Sequence, residues 1–441
     1  MKMINAKTTD YTKEDLVRDY LFSAKHPNLF KIGLEYERIS LNRKTNTTAK
    51  YFGEKGIENF LKIFSKKYNW EPIFDDNYII GLKNETSTTI TLEPGGQLEI
   101  SLKPQKNVCD IEKEIENLNY KINTISKKFD LSFIEYGINP TCKATEIAII
   151  PKRRYQTMAN HLDLKMSKFM MRQTSGIQTA FDFKNEADAA KKISIATKLS
   201  PIVSAMFANS PIYNKQLTKY KSMRSLAWIY TDKQRCGLFN EDLLENFSFS
   251  KYINYVFKIP VIFIVRDNKI IEFDKRTTFE DFFNYGYEGI QAKKEDYELH
   301  SSLFFPDVRL KNYIEIRNHD CQNGILKYAI PTFYKGVFKD LKTFNSINTL
   351  LNQFSFEELI KAKLSSAKYG LKGYLGNYQI QDIACDILKL SFNALENDPD
   401  QKYLIPLLNL TLNGLSPADI IISKYRDLKS DYNKFIEYLK K

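Results

Sequence analysis

The stretch from Asp307 to Asp320, with the sequence DVRLKNYIEIRNHD, constrains the fold of this chain more than any other. One parity of the stretch is apolar and comprises Val308, Leu310, Ile314 and Ile316. The other parity is mostly charged and comprises Arg309, Lys311, Tyr313, Glu315 and Arg317. Because successive side chains of a strand point to opposite faces, the pattern predicts a strand with an apolar back and a charged front. A solvent-facing strand would show the same pattern, so the neighbouring segments decide the interpretation.

Two further segments carry acids with the same parity. KIGLEYERISL places Glu35 and Glu37 on one face of a predicted strand. GQLEISL places Gln97, Glu99 and Ser101 on one face of another. Like charges this close repel each other unless a cation holds them, and Mg²⁺ is the usual cation. Read alone, the first pair is equally compatible with two solvated acids on an exposed strand.

The second of these strands follows an acidic turn. Glu93 stands directly before Pro94, Gly95 and Gly96. Adjacent glycines permit tight backbone geometry or the close approach of a ligand. An ordinary hairpin turn would have the same sequence, so only the acids on either side of this turn favour a ligand-binding role for it.

Glu315 and Arg317 add a carboxylate and a guanidinium to the same predicted face. The two residues could form a simple salt bridge. Together with the other acids, however, Glu315 is a candidate metal ligand, and Arg317 is suited to binding phosphate with two parallel hydrogen bonds. Several glutamates without a Cys or His cluster favour Mg²⁺ over zinc. Phosphoryl transfer needs such a metal, and the chain has no GxxxxGK[ST] loop, so carboxylate-held metals on a sheet are expected.

The order of periodic segments predicts an α+β fold. Helical spacing occurs over residues 10–24, 55–68, 108–128, 161–172 and 186–209, with strand-like segments between them. The segment 210–228, SPIYNKQLTKYKSMRSLAW, is predicted to be a loop. After residue 323 the pattern becomes helical, which divides the chain into a catalytic region of sheet and helices, 1–340, and a helical C-terminal region, 341–441, packed on the same domain.

Composition excludes several classes of protein. The 441 residues carry a net charge of +12, but the lysines are spread along the chain, which argues against a nucleic-acid-binding patch. The longest apolar stretch, residues 259–265, is too short to span a membrane, and the polar N-terminus lacks the apolar core of a signal peptide. The five cysteines form no CxxC pair, so we expect reduced thiols in a cytoplasmic protein.

At this point the residues resemble a known family. GLEYE, LEPGGQLE, SPIVSAMFANSP, YKSMRS, RCG and LFFPDVRLKNYIEIR occur in the order found in glutamate–cysteine ligases of the plant and proteobacterial type. The resemblance extends from about Lys31 to Gly336. It implies a glutamine-synthetase-like antiparallel sheet, shaped like a saddle, with packed helices and its active site on the concave face.

The resemblance also implies the chemistry. Members of this family use ATP, Mg²⁺ and L-glutamate to form γ-glutamyl phosphate and ADP. An amine, cysteine in this family, then attacks to give γ-glutamylcysteine, the first product of glutathione biosynthesis. The expected partners are therefore these small molecules, with no nucleic acid and no membrane, and the expected assembly is a monomer or homodimer.

Individual roles follow from matching positions. The family's metal-binding acids correspond to Glu35, Glu37, Glu93, Glu99 and Glu315. Its ATP-binding residues correspond to Gln178, Arg317 and Arg309, and Arg317 and Glu315 are the expected catalytic pair. Its substrate-binding positions correspond to Arg224, Arg154, Tyr155 and Gln97, with Arg153 in place of a glycine in the same motif.

Several positions depart from the family pattern. Ala180 replaces an asparagine, Leu226 a histidine and Tyr230 an aspartate, and residues 173–175 lack the usual cysteine. Tyr36 stands between the first two acids, where histidine is common. Losing a buried polar contact can change substrate choice, so a γ-glutamyl ligase that uses another amino acid or amine is an open alternative. A non-catalytic descendant is a third possibility, disfavoured because converging acids are costly to retain without a metal.

Overall fold

A nine-stranded antiparallel sheet is the central element of the computed structural model, which describes residues 11–162 and 165–440. The strands of the described residues, in chain order, are β1 Ile32–Asn42, β2 Glu71–Asp75, β3 Tyr78–Lys83, β4 Thr89–Leu92, β5 Leu98–Ser101, β6 Leu131–Ile134, β7 Gly176–Phe181, β8 Ile212–Tyr213, β9 Gln216–Leu217, β10 Cys236–Gly237, β11 Phe263–Arg266, β12 Lys269–Glu272, β13 Phe305–Pro306, β14 Val308–Leu310, β15 Ile314–Asp320, β16 Tyr374–Leu375 and β17 Tyr378–Gln379. The main sheet has the order β14-β15-β7-β1-β5-β4-β3-β2, with β6 also paired to β1.

Helices surround this sheet, and among the described residues after 325 the only strands are those of one small hairpin, β16 and β17. The α-helices, in chain order, are α1 Lys13–Phe22, α2 Ile57–Tyr68, α3 Val108–Ser126, α4 Arg153–His161, α5 Lys165–Gln173, α6 Glu186–Met206, α7 Met223–Ile229, α8 Glu241–Glu245, α9 Phe249–Phe257, α10 Phe279–Tyr285, α11 Lys294–Ser302, α12 Leu326–Val337, α13 Leu341–Leu351, α14 Phe356–Tyr369, α15 Ile380–Ala394, α16 Ile405–Leu412, α17 Pro417–Asp427 and α18 Tyr432–Leu439. The α+β prediction is confirmed.

Apolar and charged side chains alternate along the strands and lie on opposite faces of the sheet, as the sequence predicts. On β1, Leu34 and Tyr36 are buried in the core, whereas Glu35 and Glu37 point to the other face and are half-buried. On β15, Ile314 and Ile316 are fully buried. Helices α6 and α12 pack on the apolar back of the sheet, against β15 and β7 respectively. The front is therefore left to the charged side chains.

The stretch from 307 to 320 is a hairpin, and the prediction of a single strand was wrong. β14 ends at Leu310, residues 311–313 form the turn, and β15 begins at Ile314. In this hairpin Arg309 lies directly opposite Glu315. Because those two residues are an even number of positions apart, the turn preserves the parity on which the front face was predicted.

Three helical boundaries also differ from the predictions. The segment predicted as a loop contains α7, whose N-terminus is capped by the Ser222 side chain. The helix predicted over 161–172 corresponds to α5, and His161 is the last residue of α4; residues 163 and 164 lie outside the described residues. α4 was not predicted, because RRYQTMANH is mostly polar and its buried face, with Tyr155, Met158 and Ala159, is short.

Within the described residues, no single helix is long and apolar enough to cross a bilayer. One helical pair, Gln401–Leu412 and Pro417–Asp427, reaches the required length and hydropathy only jointly, and it bends by 68° at its break.

The C-terminal helices are tied to the sheet region by buried polar contacts. Asn107, at the N-cap of α3, makes no side-chain cap hydrogen bond. Instead, the fully buried carboxylate of Asp400 accepts hydrogen bonds of 2.9 Å from the backbone N–H groups of Val108 and of Cys109. Lys335 donates to the same carboxylate at 2.6 Å. Asp400 thus caps a helix that lies almost three hundred residues earlier in the chain.

We expect Asp400→Ala to lower the free energy of unfolding by about 3 kcal/mol, because it removes a charged helix cap and one of the two carboxylate partners of Lys335. Urea denaturation provides the measurement. Asp110→Ala, a change of an exposed acid in the same first turn of α3, is the control and should cost no more than about 0.5 kcal/mol. Equal losses for the two variants would contradict the role given to Asp400.

Candidate active site

The front of the sheet brings the predicted site residues together by strand register. Glu37 on β1 lies directly opposite Glu99 on β5. Glu35 lies directly opposite Gln178 on β7. Cross-strand partners of this kind have their β-carbons about 5 Å apart, so the side chains share one surface. The predicted grouping of acids from β1 and β5 with Gln178 is therefore observed.

Four acids form a repelling cluster on this face. Burial raises the pKa of the Glu37 carboxyl to about 7, and repulsion from Glu93 adds to the rise. Burial, followed by repulsion from Glu93 and from both β1 acids, raises the pKa of Glu99 well above its ordinary value. Burial and the charge of Glu315 likewise raise the pKa of Glu35. The cluster therefore favours either protons or a bound cation.

Gln178 connects the acids to the arginines. Its Nε2 donates to Glu37 at 3.2 Å, and its Oε1 accepts from the Nη1 of Arg317. Glu37 also accepts a 2.7 Å hydrogen bond from the backbone N–H of Gly176. The amide thus fixes the spacing between a carboxylate on β1 and a guanidinium on β15.

Glu315 lies in a cationic environment that differs from that of the other acids. Its carboxylate accepts from Arg309 at 2.8 Å, Lys311 at 2.7 Å and Arg317 at 2.9 Å. Burial opposes ionisation of Glu315, but these cations outweigh burial and hold its pKa well below the usual range. Its oxygens already have partners, so the contacts favour a role in ordering the arginines. Its assignment as a metal ligand stays a prediction.

Arg224 is buried beneath β7. It lies on α7, and its Nη2 donates to the backbone carbonyl of Arg317 at 2.8 Å. Gly176 makes this placement possible, because a β-carbon there would lie 2.5 Å from the guanidinium. The Nε of Arg224 has no hydrogen-bond partner in the structure. A buried donor of this kind is suited to binding a substrate carboxylate.

The start of α4 covers the acidic cluster. The hydroxyl of Tyr155 lies 3.2 Å from Glu93 and 3.2 Å from the backbone carbonyl of Leu92. The guanidinium of Arg154 stacks on the Tyr155 ring, and its Nε is buried without a partner. Lys152 donates to the Tyr155 hydroxyl at 3.2 Å, and burial lowers its pKa. Sequence reasoning missed Lys152, although it stands in the same PKRRY motif.

Gln97, predicted to bind substrate, is engaged by the backbone. Its Oε1 accepts from the N–H of Gly95 at 2.8 Å, and its Nε2 donates to the carbonyl of Thr174 at 2.9 Å. It is buried, and its contacts hold the glycine turn against the end of α5. This placement favours a structural role, and its substrate role stays a prediction.

The positions that depart from the family pattern fall in different places. Tyr36 is fully buried on the back of the sheet, where its hydroxyl donates to Glu135, so it does not face the acids. Ala180 lines a cavity of about 290 Å³ beside Glu35. Leu226 is half-buried on α7, and Tyr230, just beyond that helix, is 49% exposed.

The cavity beside Ala180 adds cations that the sequence did not single out. Its walls include Gln178, Tyr313, Glu315, Lys25, Lys31 and Lys103. Lysines scattered through a basic chain give no sequence signal; here the fold collects three of them at one edge of the acidic face. Its walls also include Glu35 and Asp182, and Asp182 pairs with Lys25 at 2.7 Å, so lysines and acids are mixed in the lining.

Two of the histidines, His300 and His319, serve packing. Burial lowers the pKa of His300 and of His319 to about 3, so both rings are neutral. His300 lies 3.1 Å from the carbonyl of Val256, and His319 lies between the Ile177 carbonyl and the Tyr334 hydroxyl.

Among residues 11–162 and 165–440, no three Asp, Glu, His or Cys side chains already form a closed metal site. An antiparallel sheet with this acidic and cationic front defines the class as a carboxylate–amine ligase of the glutamine-synthetase-like type.

Comparisons with known proteins identify the family. The model described as "Glutamate-cysteine ligase family 2 (GCS2)" matches residues 31–425. The chloroplastic glutamate–cysteine ligase A of Oryza sativa subsp. japonica is 30% identical over 425 residues, which cover 95% of this chain and 85% of that protein. The chloroplastic enzyme of Arabidopsis thaliana is 29% identical over 425 residues, which cover 95% and 80%. The chain therefore belongs to glutamate–cysteine ligase family 2.

A solved structure supports the fold. The glutamate–cysteine ligase of Francisella tularensis, solved in complex with AMP, aligns with a TM-score of 0.52 at 13% identity. The alignment covers 93% of this chain and 89% of that one. The expected glutamine-synthetase-like architecture is confirmed.

We expect Glu99→Gln to stabilise the metal-free protein at pH 8. The raised pKa of Glu99 makes the wild type bind a proton on folding, so its free energy of unfolding falls as pH rises above the ordinary value of 4.5. The glutamine side chain of the variant has no carboxyl group to ionise, so the variant avoids this decrease in the free energy of unfolding. Urea unfolding in a chelator at pH 5 and pH 8 measures the difference, which should widen toward pH 8. Glu85→Gln, at an exposed acid, is the control, and an equal gain there would contradict the cluster.

Proposed function

We propose that this protein ligates the γ-carboxylate of L-glutamate to the amine of L-cysteine at the expense of ATP. Membership of the family and the connected series of Glu37, Gln178, Arg317 and Glu315 on one sheet face support this proposal most strongly. That series places acids that attract metal ions next to a fixed cation suited to phosphate. Such an arrangement fits phosphoryl transfer to a carboxylate.

The residues present fit a divalent cation. Glu35, Glu37, Glu93 and Glu99 supply hard oxygen donors, and burial with mutual repulsion raises the pKa of three of them, Glu35, Glu37 and Glu99. We propose that these four acids hold Mg²⁺, whereas Glu315 orders Arg309 and Arg317. When bound, the cation would neutralise charge on the transferring phosphoryl group.

The two ends of the front face suit different substrates. The cavity beside Ala180, with Lys25, Lys31 and Lys103 in its walls, suits the nucleotide, and Gln178 and Arg317 border its phosphates. The opposite end has unsatisfied donors on Arg224 and Arg154. Those donors suit the carboxylates of the amino-acid substrates.

The reaction then proceeds in two balanced steps. An oxygen of the glutamate γ-carboxylate attacks the γ-phosphorus of ATP, the bond to the bridging oxygen breaks, and ADP leaves. The amine next attacks the carbonyl carbon of γ-glutamyl phosphate, inorganic phosphate leaves, and the nitrogen loses a proton. Arg317 stabilises the phosphoryl group in both steps, and the buried neutral histidines take no part.

A competing proposal is that the enzyme transfers the γ-glutamyl group to an amine other than cysteine, because Leu226 and Tyr230 replace residues that are polar in the family. A half-buried leucine on α7, the helix that carries Arg224, can change which amine side chain is tolerated. Reaction products formed with a panel of amines distinguish the two proposals.

We expect purified protein with ATP, Mg²⁺ and L-glutamate to release ADP only when L-cysteine is added, and the product to have the mass of γ-glutamylcysteine. Arg317→Gln should reduce this turnover about 100-fold, since it removes a fixed cation from the transferring group. The exposed Arg18→Gln is the matched control and should be unaffected. Turnover that ignores cysteine but responds to another amine would favour the second proposal.

We expect the affinity for Mg²⁺ to fall as pH drops below about 7. Glu37 has a pKa of about 7 in the metal-free protein, so a cation must displace its proton at lower pH. The loss approaches tenfold per pH unit for one displaced proton. Calorimetry between pH 6 and pH 8 in two buffers of different ionisation enthalpy measures both affinity and released protons. A pH-independent affinity would contradict the proposed ligand set.

We further propose that the enzyme is cytoplasmic, although the plant relatives are named as chloroplastic. All five cysteines are free thiols in the structure, which suits a reducing compartment. Fractionation of the native cells provides the test, and recovery outside the cytoplasm would refute this point.

A further inference from the structure

Arg317 lies at an interruption of the sheet. The register between β15 and β7 shifts between Ile316 and His319, so Arg317 and Asn318 have no regular partner on β7. On the other edge of β15, the backbone N–H of Arg317 continues the pairing with β14 by donating to the carbonyl of Asp307 at 2.9 Å. Bulges of this kind re-aim a side chain. The direction of the Arg317 guanidinium therefore depends on where Asp307 is held.

Asp307 is held by a lysine from the C-terminal helices. Its buried carboxylate accepts from the Nζ of Lys363 on α14 and from the hydroxyl of Ser200 on α6. Lys363 is itself only 8% exposed. The Nδ2 of Asn318 donates to the Ser200 hydroxyl at 2.9 Å and so joins the other half of the bulge to the same network.

The same helix also supports Arg224. The carbonyl of Ala367 on α14 accepts hydrogen bonds from the backbone N–H groups of Lys221, at 2.9 Å, and Ser222, at 3.0 Å. Ser222 is the cap from which α7 begins. Lys363, Arg224 and Arg317 border one small cavity of about 20 Å³, room for a single water molecule. One helix thus contacts the supports of both arginines.

We infer that Lys363 is a positioning residue for the ligase reaction: through Asp307 it fixes the bulge that aims Arg317. This inference rests on the proposed function. Without the ammonium group, the buried Asp307 carboxylate keeps only the Ser200 donor and must move or take up a proton. A displacement of about 1 Å at a phosphate-binding group costs about 100-fold in rate. The C-terminal region would then contribute to catalysis through a specific contact.

The test compares Lys363→Met with Lys363→Arg, which keeps the charge, and with Lys361→Met, a control on the exposed face of the same helix. We expect Lys363→Met to lower kcat 10- to 100-fold with an unchanged KM for L-cysteine, measured well below the midpoint of thermal unfolding. Lys363→Arg should recover most of the rate, and Lys361→Met should match the wild type. Circular dichroism gives the folded fraction of each variant.

Ser200→Ala is a second variant, for the case in which Lys363→Met does not fold. It removes the other donor to Asp307 and should lower kcat severalfold with the same unchanged KM. A normal kcat in the folded variants, or a loss that only follows the folded fraction, would overturn the inference.

A binding measurement separates failure of this inference from failure of the proposed ligase activity. If the wild type turns over no amine, calorimetric binding of Mg²⁺–ATP decides the question. Binding at least tenfold weaker in Lys363→Met than in Lys361→Met supports the inference, and equal binding, or no binding by the wild type, overturns it.

Discussion

Mutual repulsion among half-buried carboxylates is the constraint on which the rest of this structure depends. Glu35, Glu37 and Glu99 project from paired strands onto one face, and burial together with their neighbours raises the pKa of each. Such a face is unfavourable unless fixed cations or bound ions compensate it. The protein supplies part of that compensation through Arg317 and Gln178 and leaves the rest to a ligand.

The arginines are in turn positioned by elements distant in sequence. Arg317 lies at a bulge supported by Asp307, and Arg224 lies on a short helix whose cap is held by α14. Glu315, surrounded by three cations, is an internal counter-charge that keeps the guanidinium groups from repelling one another. Acidic and basic side chains therefore lie next to one another on the front face and are joined by hydrogen bonds. Such a face is suited to a metal ion and a phosphate group bound side by side.

Much of this arrangement could be predicted from sequence because it depends on period-two alternation. The strands that carry Glu35, Glu99 and Glu315 were found in this way, and so was the face that they share, whereas Gln178 was placed there by the family resemblance. The hairpin at residues 311–313 was not found, because it preserves parity and leaves the pattern unchanged. α7 was missed because it is a short helix anchored on α14 by tertiary contacts, and α4 because its residues are mostly polar. The role of Lys363 depends on a partner 56 residues away, for which the sequence carries no local signal.

Transfer of oxygen from glutamate to phosphate tests the central claim most directly. The protein would be supplied with ATP, L-cysteine and L-glutamate labelled with ¹⁸O in the γ-carboxylate, and the released phosphate would be examined by mass spectrometry. If the acidic face and Arg317 promote formation of γ-glutamyl phosphate, each turnover must transfer one labelled oxygen to phosphate. Unlabelled phosphate accompanying product formation would contradict an acyl-phosphate mechanism at this site.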